Sequence, residues 1–112
     1  MSLRTIRSSA TTVGIVAALL VIFSVARSET VAVKYRGEVD LAPFTCTDVE
    51  RSSFVKRVCY DQEKQYMLIS LSGTYYHYCS IENGLVLSFT NAKSMGYFHN
   101  TQIKGHFDCR IT

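Results

Sequence analysis

The chain has 112 residues, of which 47% are hydrophobic and 19% are charged, and its formal net charge is +3. This length allows one domain at most, and this composition excludes an intrinsically disordered protein. The excess positive charge belongs to residues 1–28, because removing Arg4, Arg7 and Arg27 leaves nine basic and nine acidic residues. Net charge therefore gives no support for a nucleic-acid-binding surface.

Residues 1–28 have the pattern of a cleavable export signal. Arg4 and Arg7 precede an uncharged apolar run at residues 13–26, and small residues, Ala26 and Ser28, lie three and one positions before a cut at Glu29. The run is shorter than the roughly 20 apolar residues that a spanning helix needs. An uncleaved anchor and a cut two residues earlier are the alternatives. We predict a periplasmic or secreted protein with no stable membrane span after cleavage.

Residues 29–50 are predicted to form an extended N-terminal arm. Val31, Val33 and Tyr35 alternate with Ala32 and Lys34. This alternation is too short to decide whether the arm adds an edge strand or only leads into the domain. The folded domain is then expected at residues 51–112.

Residues 54–81 have the pattern of three consecutive strands. Apolar runs at residues 54–60 and 66–71 are separated by a polar turn, and residues 74–81 are rich in tyrosine, which favours strands. Ser72 and Gly73 form a two-residue turn, and the register of the hairpin follows from this loop length. The predicted pairs are Leu71 with Thr74, Ile69 with Tyr76, and Met67 with Tyr78.

The two faces of this predicted sheet differ in polarity. The six residues of the predicted pairs share one face, which is the more apolar one. We expect the opposite face to be uncovered, and it carries Leu68, Ser70, Tyr75, His77 and Cys79.

After residue 84 the apolar period becomes helical. Leu85, Phe89 and Ala92 recur at i, i+4 and i+7, which predicts a short helix. Ser94 is a favourable N-cap for a second helix, and Gly105 can end it in a left-handed conformation. The predicted fold is α+β: a three-stranded antiparallel meander with two short helices packed on one face, preceded by an extended arm.

Four cysteines follow the signal segment, which in an exported chain predicts two disulfides. Of three possible connectivities we favour Cys46 with Cys59 and Cys79 with Cys109, because each pair ties an end segment to a predicted strand. No pair has the CxxC spacing of a redox motif or a zinc half-site. A composite metal site of His77 with Cys79 and His106 with Cys109 is the alternative, and we predict no metal site.

The order of these features resembles the KTSC domain, which is named for its occurrence at the C-terminus of some lysyl-tRNA synthetases and also occurs as a stand-alone bacterial protein. The resemblance does not include the signal segment, the arm or the cysteines, and its hairpin is one residue shorter than usual. It implies a domain of unknown function, for which RNA binding has been suggested. The residues that carry it are Ser52, Ser53, Tyr60, Asp61, Gly73, Tyr76, His77, Tyr78, residues 92–98 including Ser94, Gly96 and Phe98, and Ile103 with Gly105.

Two candidate binding features emerge, each beside a structural alternative. Tyr75 and His77 lie on the face predicted to be exposed and are candidate ligand contacts, whereas Tyr76 and Tyr78 are expected to pack under the helices. The backbone from Ser94 to Gly96 is a candidate anion site, but an ordinary N-cap is the favoured interpretation.

We predict no catalytic residues and no cofactor. No serine-nucleophile motif or acid pair is present, and cysteines in disulfides are not nucleophiles. The leading hypothesis is a small exported, non-enzymatic domain that binds a protein, a cell-envelope component or a small ligand. The alternatives are a nucleic-acid (RNA) binding module and, third, a hydrolase or thiol redox enzyme.

Overall fold

The computed structural model describes residues 28–109. Within this range, six strands come first and three short helical segments follow. The strands are β1 (Thr30–Val33), β2 (Gly37–Asp40), β3 (Thr45–Asp48), β4 (Val55–Asp61), β5 (Tyr66–Leu71) and β6 (Thr74–Tyr78). The helical segments are α1 (Asn83–Thr90), α2 (Met95–Phe98) and a π-helical turn, π1 (His99–Ile103).

The predicted signal peptide lies outside the described residues, apart from Ser28. Between residues 28 and 109, none of the helices has the length and apolar character needed to cross a membrane.

All six strands belong to one mixed sheet with the order β2-β1-β6-β5-β4-β3. β1 runs parallel to β6, and the other neighbours are antiparallel. In a flat sheet the three strand spacings from β1 to β4 would span about 14 Å. Yet Nη1 of Arg57 on β4 lies 2.8 Å from the carboxylate of Glu29, which directly precedes β1. The sheet therefore curls into a half-barrel.

The prediction of a three-stranded antiparallel meander preceded by an extended arm was wrong. The meander is the centre of the sheet, β4 to β6, but the predicted arm supplies three further strands. Each of these strands has only four residues, which is too short for a clear alternation. In addition, β1 joins β6 through Val33 and Tyr75, a long-range pairing that local patterns do not reveal.

The register of the β5–β6 hairpin is confirmed. Leu71 pairs with Thr74, and the predicted pairs that follow are also present. Ser72 and Gly73 have φ angles of 51° and 93°, as a type I′ turn requires at both central residues. Loop length therefore fixed which β6 side chains face the helices.

The helices cover one face of the sheet and enclose the larger of two cores. Phe89, Met95 and Ile103, one from each helical segment, are almost completely buried. They share a cluster with Met67 and Ile69 of β5, on the face predicted to be apolar. Burying an aromatic ring and several aliphatic side chains in this way is the main stabilisation of this side.

Capping interactions hold the helical segments in place. The predicted N-cap at Ser94 is confirmed, because its hydroxyl accepts a hydrogen bond of 3.2 Å from the Tyr97 amide. Gly105 follows π1 with a φ of 80°, the predicted left-handed end. The guanidinium of Arg51 donates to the carbonyls of Thr90 and Ala92 at 2.8 and 2.7 Å, and thereby satisfies the C-terminal end of α1.

The expectation that the second face is uncovered was wrong. β1 and β2 fold over this face, where Val31, Val33 and Val39 form a second buried cluster with Tyr66 and Leu68. The same face of β4 carries Arg57, whose guanidinium donates two hydrogen bonds, of 2.8 and 3.0 Å, to Glu29. Residues 29–50, which were predicted to form an extended arm, are therefore part of the folded structure.

Both predicted disulfides are confirmed. Cys46 on β3 is bonded to Cys59 on β4, with their Cα atoms 4.0 Å apart. Cys79, directly after β6, is bonded to Cys109, with Cα atoms 5.0 Å apart. All four residues contribute to the second core. The disulfides thus fasten β3 and the segment after π1 to the side of the sheet that β1 and β2 cover.

Candidate functional site

A groove of about 710 Å³ runs along the part of β6 that β1 does not cover; we call it the β6-edge groove. Its volume lies within the range of about 300–1,000 Å³ that is usual for ligand sites. It is lined by Tyr76, His77 and Tyr78 of β6, by Lys34 and Tyr35 on one side, and by Gly105, Phe107, Asp108 and Cys109 on the other.

At each end of this groove, a neighbouring segment forms a hydrogen bond with the main chain of β6. Neither segment pairs with the middle of the strand. The Lys34 amide donates to the Tyr75 carbonyl at 2.9 Å, and the Cys79 amide donates to the Phe107 carbonyl at 3.1 Å. Both groups point away from β5. Strand geometry repeats every two residues, so the N–H and C=O of His77 point the same way, into the groove.

Tyr35 and Lys34 form one wall of the groove. They belong to the loop between β1 and β2, which a hydrogen bond of 3.0 Å from the Arg36 amide to the Val33 carbonyl closes. Tyr35 has a φ of 69°, a conformation that favours glycine or asparagine, and its side chain is 84% exposed. The ammonium of Lys34 lies 5.4 Å from the ring centroid of Tyr35 and 5.6 Å from that of Tyr76.

On the arm side of the groove, His77 is tied to Tyr66. Its Nδ1 lies 2.9 Å from the Tyr66 hydroxyl, and the guanidinium of Arg36 lies 5.4 Å from the Tyr66 ring centroid. Burial, and then the charge of Arg36, lower the pKa of His77. Burial also raises the pKa of Tyr66. We therefore expect both side chains to be uncharged at neutral pH.

On the helix side, Tyr78 is tied to His99. The Tyr78 hydroxyl lies 2.9 Å from His99 Nε2, and Nδ1 of the same ring lies 3.1 Å from the Asn100 side-chain oxygen. That oxygen accepts only, so Nδ1 carries the proton and Nε2 accepts from Tyr78. Burial raises the pKa of Tyr78 to about 12 and lowers the pKa of His99.

Of the two candidate contacts predicted on β6, the structure brings His77 to the groove and places Tyr75 under the arm. Tyr75 is half-buried in the second core, and its hydroxyl accepts from Arg57 at 3.3 Å. Tyr76 and Tyr78 pack against the helix-side core, as expected, and also line the groove. The site thus combines side chains from both faces of β6 along its edge.

The Ser94–Gly96 segment has structural roles. The Ser94 hydroxyl is used by the Tyr97 amide, and the closest side chain to Gly96 is Phe54, 3.7 Å from where a Cβ would lie. Two further residues of the resemblance contribute to the helix-side core: Phe98 packs on Phe89 with ring centroids 5.7 Å apart, and Ile103 is fully buried. Residues 94–96 are not among those that line the β6-edge groove.

Across residues 28–109, no group of three or more histidine, cysteine, aspartate or glutamate side chains is arranged to hold a metal ion. His77 and Cys79 are neighbours on β6, but the sulfur of Cys79 is bonded to Cys109.

Sequence reasoning missed Lys34, Tyr35 and Phe107 as groove residues. No local signal marks them, because long-range pairing with β6 brings both segments to the site. It also missed the clamp at Arg57, whose Nε lies 3.1 Å from Asp48 without the alignment of a hydrogen bond. An arginine inside a predicted strand, on the same face as Cys59, was the available hint.

Comparisons with known proteins match part of this chain. The family model of the KTSC domain matches residues 51–107. The crystal structure of a KTSC domain protein from Yersinia pestis is similar, with a TM-score of 0.55 and 26% sequence identity, and the match covers 58% of this chain and 92% of that chain. None of the curated proteins matches the chain. The family model covers half of the chain and the resemblance in its motifs is confirmed, so this chain belongs to the KTSC domain family.

Proposed function

We propose that this chain is an exported, non-enzymatic binding domain that holds its ligand in the β6-edge groove. The observation that carries the proposal is the groove itself: aromatic side chains and a lysine line an open stretch of strand edge. Concave, mainly apolar surfaces with a few directed polar groups are the usual form of a binding site.

The groove has walls suited to an apolar or planar group. Tyr35, Tyr76, Tyr78 and Phe107 supply rings, and the exposed Tyr35 is held out by a backbone conformation that tyrosine rarely adopts. Unfavourable conformations of this kind persist more often at functional sites than elsewhere. The Lys34 ammonium over two of these rings supplies a positive charge for orientation.

Export is supported by the cysteines together with the predicted signal. All four cysteines are paired in disulfides, which is typical of oxidising compartments outside the cytoplasm. Intact-mass measurement of the protein recovered after secretion tests this. We expect a mass that lacks residues 1–28 and is about 4 Da below that of the reduced chain, since each bridge removes two hydrogens. A full-length, fully reduced protein in the cytoplasm would contradict export.

A binding role is favoured over an enzymatic one by the state of the groove's polar side chains. A nucleophile requires a lowered pKa or a base that is free to activate it. The Tyr78 hydroxyl instead has its pKa raised to about 12 by burial, and its acceptor, His99, is a weak base because burial lowers its pKa. His77 is engaged by Tyr66 rather than by a group positioned for attack.

RNA binding, the alternative from the sequence, has less support. A stacking platform needs aromatic faces that are open to bases. Tyr75, which was predicted on the uncovered face, is half-buried under the arm and bonded to Arg57. The β6-edge groove does offer rings, but its lining has one lysine, Lys34, and one acid, Asp108, rather than the positive charge that follows a nucleic-acid backbone.

A fragment screen by amide chemical shifts tests the proposed function. The secreted protein, purified with both disulfides formed, is titrated with small apolar and aromatic fragments and with single-stranded RNA. We expect fragments to shift the resonances of Lys34, His77 and Phe107, an effect that Tyr35→Ala weakens and Leu87→Ala, at an exposed site on α1, does not. Fragment shifts confined to other surfaces, or salt-dependent RNA binding at the groove, would contradict the proposal.

A further inference from the structure

The open part of the β6 edge has the dimensions of a short peptide strand. The edge is paired at Tyr75 by Lys34 and at Cys79 by Phe107. These two positions are four residues apart, which is about 13 Å along a strand. Three consecutive residues of β6 line the groove between them, so the groove follows the strand direction.

Extended main chain already occupies both ends of this edge. β1 runs parallel to β6 up to the pairing of Val33 with Tyr75, and then turns away through Tyr35. On the other side, Phe107 offers its carbonyl to Cys79. The N–H and C=O of His77 lie between these two pairings. They are therefore placed to form hydrogen bonds with a third extended segment. Strand addition to an exposed edge is an established mode of peptide recognition.

The side chains around the His77 main chain differ from one end to the other. Lys34 brings a positive charge to the end near β1, and Asp108 follows Phe107 in the opposite wall, where its charge acts on His77. Tyr76, Tyr78 and Phe107 lie between them. An acidic residue fits beside Lys34, and an apolar residue fits against the rings.

We propose that the β6-edge groove binds an extended peptide segment, which pairs with the main chain of His77 and places an acidic residue at Lys34 next to an apolar residue at the aromatic rings. The proposal rests on the proposed function and names its ligand class. A planar small molecule would use the rings alone and leave the His77 main chain without a partner. Backbone hydrogen bonding is thus the property that separates the two ligand classes.

Blocked synthetic pentapeptides provide the test. The set carries Asp, Ala or Lys at one position and Leu, Phe or Ala at the next, and each peptide has twins in which one backbone amide at a time is N-methylated. Binding is followed by amide chemical shifts of the secreted, disulfide-bonded protein. We expect Asp to bind better than Ala and Ala better than Lys. Methylation at one central amide should weaken binding roughly tenfold, because it leaves the His77 carbonyl unpaired.

A charge reversal at the groove gives a second readout. Lys34→Glu should invert the preference so that peptides with Lys bind better than peptides with Asp. Lys93→Glu, at an exposed position outside the groove lining, makes the same charge change and should leave the preference intact. Unchanged chemical shifts in the second core would show that both variants are folded.

Several results would overturn the proposal. Equal binding of every N-methylated twin would exclude strand addition, and so would fragments that bind the groove when no peptide does; both leave the proposed function standing. Peptide binding that appears only after deletion of residues 110–112 would overturn the proposal of a separate peptide ligand, because the chain's own end would then be the occupant. If neither fragments nor peptides shift the groove resonances, the proposed function fails as well.

Discussion

The two faces of the sheet are covered in different ways. On the helix side, α1, α2 and π1 follow the meander directly in the chain and bury a large core with Phe89 at its centre. On the arm side, β1 and β2 bury a smaller core, and an arginine clamp and two disulfides reinforce it. Small cores give limited stabilisation, and covalent links are the usual compensation.

The boundary of the family match coincides with this difference. Residues 51–107 include the meander and all the helical segments. Each disulfide joins one cysteine inside the match, Cys59 or Cys79, to one outside it, Cys46 or Cys109. The helix side is thus the family's own core, whereas the covalent reinforcement of the arm side involves residues beyond the family match.

Truncation of the helix-side core should have the largest effect on stability. Phe89→Ala removes a fully buried ring and should lower the free energy of unfolding by about 3–5 kcal/mol. Leu87→Ala, on the same helix but 53% exposed, should change it by less than about 0.5 kcal/mol. Chemical denaturation measures both values. Similar losses for the two variants would mean that α1 does not pack on the sheet through Phe89.

Loss of either disulfide should be the next largest effect. Replacing both cysteines of one pair by alanine should lower the free energy of unfolding by about 2–4 kcal/mol. The loss depends on the length of the loop that the disulfide closes. Reduction should also be ordered. Cys59 is fully buried, whereas Cys79 and Cys109 are half-buried, so a mild reductant should open the Cys79–Cys109 bond first. Alkylation followed by peptide mapping reports the order, and prior opening of Cys46–Cys59 would show that the arm side is less closed than described.

Removal of the arginine clamp should have a smaller effect. Arg57→Ala should cost about 1 kcal/mol, because Glu29 and Asp48 are largely exposed and surface ion pairs contribute little. Arg57→Lys should recover only part of this, since lysine lacks the planar fork that binds Glu29 twice. Denaturation curves in low and high salt provide the measurement. A cost as large as that of Phe89→Ala would mean that the clamp, rather than apolar burial, holds the arm side.

The smallest effects should be pH-dependent, and they distinguish the two sides. The pKa values of His99 and His77 are lowered, mainly by burial, from an ordinary value of 6.5. The unfolded chain therefore binds more protons than the folded one at acidic pH. The contribution of each neutral histidine to the free energy of unfolding is complete above about pH 6.5 and is lost as the pH falls below that value. His99 is almost completely buried and His77 only partly, so His99→Gln should flatten the profile between pH 7 and 5 more than His77→Gln.

A second acid step should come from the arm side at lower pH. The hydrogen bonds from Arg57 lower the pKa of Glu29 below its ordinary value of 4.5. This stabilisation is complete above about pH 4.5 and is lost as the pH falls further. Glu29→Gln should remove that step without changing the step near pH 6. Identical profiles for the wild type and this variant below pH 4.5 would show that the clamp does not form in solution.

The sequence predicted features that depend on nearby residues. The two-residue loop at Ser72 and Gly73 determined the β5–β6 register, and the N-cap at Ser94 and the glycine at Gly105 marked the helical segments. The disulfide pairing was also predicted, because each pair joins an end segment to a strand. The turn and cap predictions depend on residues that are close together in the chain. The disulfide prediction required a choice among only three connectivities.

The arm side and the candidate site depend on long-range contacts, and sequence patterns did not reveal them. The pairing of Val33 with Tyr75 places Lys34 and Tyr35 beside β6, but four-residue strands carry too little periodicity to indicate it. His77 was predicted as a ligand contact from its position on the strand. Its neighbours in the groove come from segments that are distant from β6 in the chain and that long-range pairing brings together.

Hydrogen exchange at the Lys34 amide tests most directly whether the arm is an integral part of this fold. That amide donates to the Tyr75 carbonyl at 2.9 Å, and this bond joins β1 to β6. In the oxidised, secreted protein we predict that it exchanges slowly, with protection comparable to that of the Leu68 and Met67 amides, which pair within the central meander. Rapid exchange of Lys34 together with slow exchange in β4 and β5 would contradict a six-stranded half-barrel and leave only the central meander.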